Sequence, residues 1–298
     1  MTQTILLAGA TGMLGRQIAR QLVELADARV RLLIRSPSDP DKKEALEPLL
    51  ERGAEFVEGD LADPDSLDRA TRGIDVIVSA VQGGPDVIVD GQAALAEAGK
   101  RNGVRRMLPS DYGLDLFEAT PGEHAAFDAR READRRIAAL GLEQINVLQG
   151  GFMHLFMPGM GAIDLDAGTI GFFGDGNSLI EVTSVEDTAR MIARVALDRR
   201  LPAGKFAFAG DRVSFRQAGE IVAAQTGRAL RPVSLGSESD LRVAMAAADP
   251  QKRVMLAYLL YMSNGQTALT HLQNERYPDL KLETFAQFAS RAMPRKLA

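Results

Sequence analysis

The 298-residue sequence contains no cysteine. That absence excludes disulfides, thiolate catalysis and cysteine-ligated zinc. It fits a reducing cytoplasm, the compartment expected for this chain. Histidine is scarce: the three residues His124, His154 and His271 are too scattered to suggest a metal site. No apolar run reaches the length that spans a bilayer. Met1 leads straight into an apolar run of strand length, which leaves no room for a signal peptide. Nor is there an excess of positive charge. Against 35 Lys and Arg stand 40 Asp and Glu, a formal net charge of -5, so no nucleic-acid footprint is visible. The densest basic run, Arg130, Arg131, Arg135 and Arg136, is interleaved with Glu132 and Asp134, and most of it reads as a solvated helix face. Internal repeats, linkers and low-complexity tracts are also missing.

What is present starts with Gly9-Ala-Thr-Gly12-Met-Leu-Gly15. An apolar run at 4–8 precedes it. Leu14, Ile18, Leu22 and Leu25 follow at helical spacing over 13–25. Strand, tight glycine turn and helix together form the dinucleotide-binding opening of a doubly wound fold. Gly9 allows the sharp turn, Gly12 lets a pyrophosphate approach the backbone, and Gly15 lets the helix lie close on the strand. The free N–H groups at the start of that helix then face the phosphates.

Strands alternate with helices through the first half. Further strands are expected at 30–34, 54–57, 75–80, 104–108 and 142–148, and helices at 40–52, 64–72, 85–102 and 125–140. Such alternation with short turns implies a parallel sheet with right-handed crossovers, by default in the order 3-2-1-4-5-6. The loops at Gly9, Arg35, Asp60, Ala80 and Ser110 then gather at the strand C-terminal ends. After about residue 150 the rhythm breaks into a glycine-punctuated stretch. A strand and turn at 168–175, strands at 205–209 and 232–235, and helices at 184–197, 214–226, 240–248, 250–261 and 282–292 follow. The expected architecture is α/β. A doubly wound parallel Rossmann sheet occupies residues 1–150. Residues 151–298 mainly form a smaller substrate-binding domain, with some segments returning to the sheet.

An NAD-binding sheet carries Asp or Glu at the end of its second strand, where it bonds the ribose 2′-hydroxyl. Here that strand runs into Arg35, and Lys42 and Lys43 follow on the next helix. A planar cation and a point charge suit a 2′-phosphate, so NADPH/NADP+ is favoured over NADH. Asp60 and Leu61, after strand three, stand where the adenine edge would lie. Asp60 could equally cap the helix that starts near Pro64.

Several segments go beyond a generic nucleotide fold. They are Gly-Ala-Thr-Gly-Met-Leu-Gly at 9–15, Leu-Ile-Arg-Ser at 33–36, Gly-Asp-Leu at 59–61, Asp-Val-Ile-Val-Ser at 75–79, Leu-Pro-Ser-Asp-Tyr-Gly at 108–113 and Ala-Phe at 126–127. Together they resemble the NmrA-like group of atypical short-chain dehydrogenases. The closer resemblance is to its isoflavone reductase-like, aromatic alcohol reductase branch, with the pinoresinol–lariciresinol and phenylcoumaran benzylic ether reductases. The likeness covers residues 4–200 well and the remainder loosely, and the segment at 109–113 is its most specific piece. It implies that Thr11, Met13 and Leu14 contact the pyrophosphate, and that Arg35 with Lys42 or Lys43 holds the 2′-phosphate. Ala80, Val81 and Gln82 would border the cofactor. Ser110, Asp111 and Tyr112 would line its nicotinamide end, with Phe152 and His154 over the nicotinamide and substrate. The implied partner is a small aromatic molecule, and a homodimer is left open.

One departure stands out. The family's reductases carry a lysine on the helix after strand five, a few residues past a phenylalanine. Alignment on Phe127 puts Arg130 there. An arginine stays protonated and cannot be a general base, yet it can hold a substrate oxygen or stabilise developing negative charge. Tyr112, His124 and His154 remain as proton carriers. Phe152, Met153, Phe156, Met157, Met160, Phe172 and Phe173 could wall an apolar pocket or form core. Tyr277 and Lys281 match the Tyr-x-x-x-Lys pair of ordinary short-chain dehydrogenases, but Pro278 breaks the helix that the pair needs. The resulting expectation is an NADPH-dependent reductase of an aromatic small molecule, with Arg130, Tyr112 and His154 at the reacting centre. The alternative is a non-catalytic NAD(P)-sensing regulator of NmrA type.

Overall fold

The computed structural model describes residues 2–25, 27–36 and 40–293, excepting the side chains of residues 40–43 and 45. In chain order the elements are β1 (Gln3–Ala8), α1 (Met13–Val23), β2 (Ala28–Ile34), α2 (Pro40–Leu50), β3 (Glu55–Glu58), α3 (Pro64–Ala70), β4 (Val76–Ser79), α4 (Gln92–Arg101), β5 (Arg106–Leu108), α5 (Ala125–Ala139) and β6 (Glu143–Leu148). Next come β7 (Gly151–Phe152), β8 (Ile163–Asp164), β9 (Thr169–Phe172), β10 (Ile180–Thr183), α6 (Val185–Leu197), β11 (Gly204–Ala207), β12 (Asp211–Val213), α7 (Phe215–Thr226), β13 (Arg231–Ser234), α8 (Glu238–Ala247), α9 (Pro250–Asn264) and α10 (Phe285–Ala292). The chain forms two compact units. One comprises Met1–Tyr112, Ala129–Val147 and Thr188–Phe206, the other Gly113–Asp128, Leu148–Asp187 and Ala207–Ala298.

The first unit is built on a seven-stranded sheet in the order β11-β6-β5-β4-β1-β2-β3. It is the expected 3-2-1-4-5-6 arrangement with β11 added beside β6. β1 runs parallel to both β2 and β4, with Ile5 opposite Val30 on one side and Val76 on the other. Leu6, Leu7, Leu32, Ile77 and Val78 are buried. Strands covered on both faces need apolar runs rather than alternation, as these have. The strand order reverses between β1 and β4, which places the loops after these strands at the crevice where such sheets take ligands.

The helix expected over 85–102 is not uniform. It opens as a π-helical segment, Asp86–Gly91, and becomes α-helical only from Gln92. Gly91 sits against Leu61, whose Cβ would lie 2.9 Å from any side chain added there.

The second unit holds two three-stranded sheets, β12-β10-β7 and β13-β9-β8. β7, β8, β10 and β12 were not foreseen, because strands of two to four residues carry too little periodicity to stand out. Met153, Phe156 and Phe172 belong to this unit's core with Phe215, Phe285 and Phe288. Phe156 packs edge-on against Phe215 and Phe285 at 5.4 and 5.1 Å. The pocket-wall reading of these three residues is therefore corrected, since side chains so enclosed have no face left for a ligand. Helix α7 starts with a capping box: Ser214 accepts from the Gln217 N–H, Gln217 accepts from the Ser214 N–H, and Gly227 closes the helix at φ +66°. Ser214→Ala is expected to cost about 1 kcal/mol, read as a lower urea midpoint at unchanged slope.

Candidate functional site

The glycine turn has the geometry its spacing demanded. Gly9 has φ +87°, and a Cβ there would lie 2.4 Å from the Ala80 carbonyl oxygen. A Cβ on Gly15 would lie 2.1 Å from the Gly9 oxygen. Both positions are closed to any larger residue by backbone atoms. Gly12 differs: a Cβ there would meet only the Gly9 oxygen, at 3.4 Å. Thr11, Gly12 and Met13 are exposed, and Leu14 is half-buried. No side chain caps the N-terminus of α1, and its first turn holds no acidic residue. Instead Arg16 bends back, its Nη2 donating to the Thr11 carbonyl at 3.3 Å while its Nε is buried without a partner among the described residues. Uncapped N–H groups, an idle guanidinium nitrogen and open space over Gly12 make an electropositive cradle that fits a pyrophosphate. Arg16 escaped the sequence reading because it follows the glycine pattern.

Arg35 is exposed just past the end of β2. Lys42 and Lys43 fall on α2, but their side chains lie outside the described residues. Asp60 does not cap α3. That role belongs to Asp63, which accepts from the Asp65 and Ser66 N–H groups. Asp60 accepts instead from the Ala62 N–H at 2.9 Å, shaping the loop after β3. The capping alternative for Asp60 is thereby removed.

Ala80, Val81 and Gln82 follow β4, with Ala80 against Gly9. Ser110 is tied to the same loop through its Oγ, which donates to the Val81 carbonyl at 2.8 Å. Its own N–H donates to Oε1 of Gln92 at 2.9 Å, and Gln92 Nε2 donates to the Ile88 carbonyl at 3.0 Å. Gln92 is fully buried. It was missed because nothing in the sequence separates a glutamine inside α4 from a surface one. Arg130 is half-buried, and its Nε donates to the Ser110 carbonyl at 2.9 Å. The solvated-face reading of that basic run therefore holds for Arg135 and Arg136, which pair with Glu132, but not for Arg130. The Tyr112 hydroxyl is buried with no partner among the described residues. Burial and the nearby Asp111 charge both hold it protonated.

Behind Ser110 lies a polar cluster that the sequence did not announce. Asn146 on β6 donates to Asp111 at 2.8 Å, and Gln144 donates to Asp134 at 2.9 Å. Asp111 and Asp134 are both buried.

Phe152 and His154 lie in the second unit, half-buried. The His154 ring meets Phe288 edge-on at 5.1 Å, and its Nδ1 is buried without a partner among the described residues. His124 is a core residue of the same unit. It stacks on Phe127 at 3.9 Å, faces the edge of Tyr258 at 4.4 Å, and its Nδ1 accepts the Phe127 N–H. That enclosure removes it from the proton carriers. Tyr277 and Lys281 share no helix, as Pro278 foretold. No cluster of metal-ligating side chains occurs among the described residues, and no helix among them is long and apolar enough to cross a membrane.

This geometry can be set beside known proteins. Phenylcoumaran benzylic ether reductase IRL1 of Ginkgo biloba is 29% identical over 310 residues, covering 95% of this chain and 97% of that protein. Pinoresinol reductase 2 of Arabidopsis thaliana is 30% identical over 211 residues, 66% of this chain and 65% of that protein. The solved structure of AtPrR2 with NADP+ and (+)pinoresinol superposes with a TM-score of 0.85 at 23% identity, over 98% of this chain and 99% of that one. The family model described as NmrA-like matches residues 1–270. The chain belongs to the NmrA-like family.

Proposed function

We propose that this protein is an NADPH-dependent reductase acting on an aromatic, phenylpropanoid-like small molecule at a benzylic ether carbon, a conjugated alkene or a carbonyl. The observation that carries this reading is the uncapped, electropositive start of α1 over an open Gly12, in a chain whose relatives include a phenylcoumaran benzylic ether reductase and a pinoresinol reductase. NADPH, when bound, supplies the hydride. Gly9, Thr11, Gly12, Met13, Leu14 and Gly15 would take the pyrophosphate, and Arg35 the 2′-phosphate with Lys42 or Lys43. Asp60 and Leu61 would lie beside the adenine, and Ala80, Val81, Gln82, Ser110 and Phe152 would border the rest of the cofactor. Tyr112 is a protonated donor whose buried hydroxyl has no partner, suited to a substrate oxygen that gains charge. Arg130 adds a fixed positive charge behind Ser110. His154 or water returns the proton that balances the delivered hydride.

Purified protein incubated with NADPH and a panel of lignan-type ethers, enones and aromatic ketones is expected to consume NADPH with at least one of them. NADPH binding without turnover across the panel would overturn the reductase reading in favour of a nucleotide sensor. Arg35→Ala is expected to raise the Kd for NADPH about 10- to 100-fold, the equivalent of one lost charge-assisted bond, and to leave NADH binding unchanged. Calorimetry with both coenzymes reads this directly, and equal losses for the two would remove Arg35 from the 2′-phosphate.

A further inference from the structure

We propose that Gln92 is a positioning residue for Tyr112: its buried side-chain amide fixes Ser110 at the corner of the loop after β5, and that corner places the tyrosine hydroxyl. Ser110 sets the path of this loop because every polar group it carries is engaged. Its N–H donates to Oε1 of Gln92 at 2.9 Å, its Oγ donates to the Val81 carbonyl at 2.8 Å, and its carbonyl accepts from Nε of Arg130 at 2.9 Å. The three bonds tie it to α4, to the loop after β4 and to α5. The chain then folds straight back. The Asp111 N–H donates to the Pro109 carbonyl at 3.0 Å, closing a three-residue turn with Ser110 at its centre. The Asp111 side chain accepts from Asn146 Nδ2 on β6 at 2.8 Å. Tyr112 follows directly, its hydroxyl buried with no partner among the described residues. A hydroxyl that bonds nothing around it does not hold its own place. Its position comes from the backbone before it.

The tie to Gln92 is the most demanding of the three. Ser110 offers it an N–H and needs an acceptor, while the Ile88 carbonyl, 3.0 Å from Nε2, needs a donor. A primary amide presents one of each at its end. A carboxylate would turn a second acceptor toward the Ile88 carbonyl. A lysine would turn a donor toward the Ser110 N–H. An apolar side chain would leave both groups unsatisfied in a place where Gln92 is fully buried. Ile88 lies in the π-helical segment that precedes α4, so the amide spans from that segment to the loop. The hydroxyl of Ser110 is a strut and not a donor to a ligand, because the Val81 carbonyl can only accept and the proton points there. The donor that this loop presents is Tyr112. Its service to a substrate oxygen rests on the function proposed above, but its placement through Gln92 does not.

The test uses the chain's own spectrum. The sequence has no tryptophan and 4 tyrosines, so wild type minus Tyr112→Phe isolates the near-ultraviolet band of Tyr112. The same difference is then taken in a Gln92→Met background, on the whole chain without cofactor. There the Tyr112 band is expected to shift to that of a solvated tyrosine and to lose its near-ultraviolet circular dichroism. Leu95→Ala is the control. Leu95 is buried on the same helix, and its truncation loosens packing while keeping the Gln92 amide. The Tyr112 band should stay in place there. A band unmoved by Gln92→Met, or moved equally by Leu95→Ala, overturns the proposal. Should Gln92→Met fail to fold, hydrogen exchange on the wild type decides. The Ser110 amide lies outside every strand and helix, yet it is expected to exchange as slowly as the amides of β4. Exchange at the rate of an open loop would refute the assignment. Turnover adds a readout that depends on the reductase reading. Gln92→Met is expected to lower kcat about 100-fold, as a small misplacement of a reacting group does, while NADPH affinity is kept. Loss of NADPH affinity with kcat kept would count against a role in placing Tyr112. A wild type without turnover removes the reductase reading and leaves the tyrosine band to judge Gln92.

Discussion

Replacing Arg106 by methionine is expected to lower the unfolding free energy by about 3–5 kcal/mol. Arg106 sits on β5 with its side chain fully buried. Its Nη1 donates to the carbonyls of Val195 and Asp198, and its Nη2 to that of Leu201 at 2.7 Å. These carbonyls belong to the last turn of α6 and the segment just beyond it, where a helix exposes acceptors and a negative dipole end. Nε and Nη2 also reach Glu143, at 3.2 and 3.0 Å. The ion pair is the lesser part. Glu143 is 42% exposed and keeps Arg105 as a partner, so its loss is screened. The cost falls on the carbonyls, which methionine covers without satisfying. Arg106→Lys should recover only part, because one ammonium cannot span the fork of sites. Urea denaturation of the three proteins measures this. A loss below about 1 kcal/mol for methionine would mean that water replaces the guanidinium.

The second large effect separates folding from cofactor binding within one turn. Gly15→Val is expected to damage both. Its Cβ would stand 2.1 Å from the Gly9 oxygen, and neither backbone can yield without lifting α1 from β1. A stability loss at or above the upper end of the ~1–3 kcal/mol typical of overpacking should accompany complete loss of NADPH binding. Gly12→Ala is expected to behave differently. Its Cβ finds ordinary space, so the melting temperature should hold, while NADPH affinity falls about tenfold or more because a methyl group stands where the pyrophosphate approaches. Melting curves and calorimetry on the two variants separate the outcomes. Unchanged NADPH affinity in Gly12→Ala would place the phosphates elsewhere.

The parallel sheet was readable from the sequence because its signals are local. β1 is an apolar run stopped by Gly9 and β5 one stopped by Pro109, and the helices α2 to α5 are followed by Gly53, Gly73, Gly103 and Gly141. The glycine turn was equally legible, since Gly12 and Gly15 answer to the Gly9 carbonyl a few residues away and Gly9 to its own positive φ, although the approach of Gly9 to Ala80 is long-range. What stayed hidden depends on tertiary neighbours. Gln92, Asp134 and Asn146 look like surface polar residues until the fold buries them around the loop after β5. Arg130 was singled out only by the resemblance, since its own segment reads equally as a charged helix face. Only the position of Ser110 shows that it faces inward. The short strands β7, β8 and β12 are made by their partners rather than by their own residues. In the opposite direction, Met153, Phe156 and Phe172 carried the right chemistry for a pocket wall, but the fold spends them on core.

The wide turn at Asp86–Gly91 sets the angular phase of everything after it on that rod of chain. Deleting one residue there would restore ordinary α-helical bonding and turn the downstream side chains by about 100° about the axis. Gln92 would swing off the Ser110 amide, and the segment bearing Tyr112 would lose its rear anchor. The extra residue therefore works as a phase shifter: an irregularity more than a dozen positions upstream decides which way the loop after β5 is aimed.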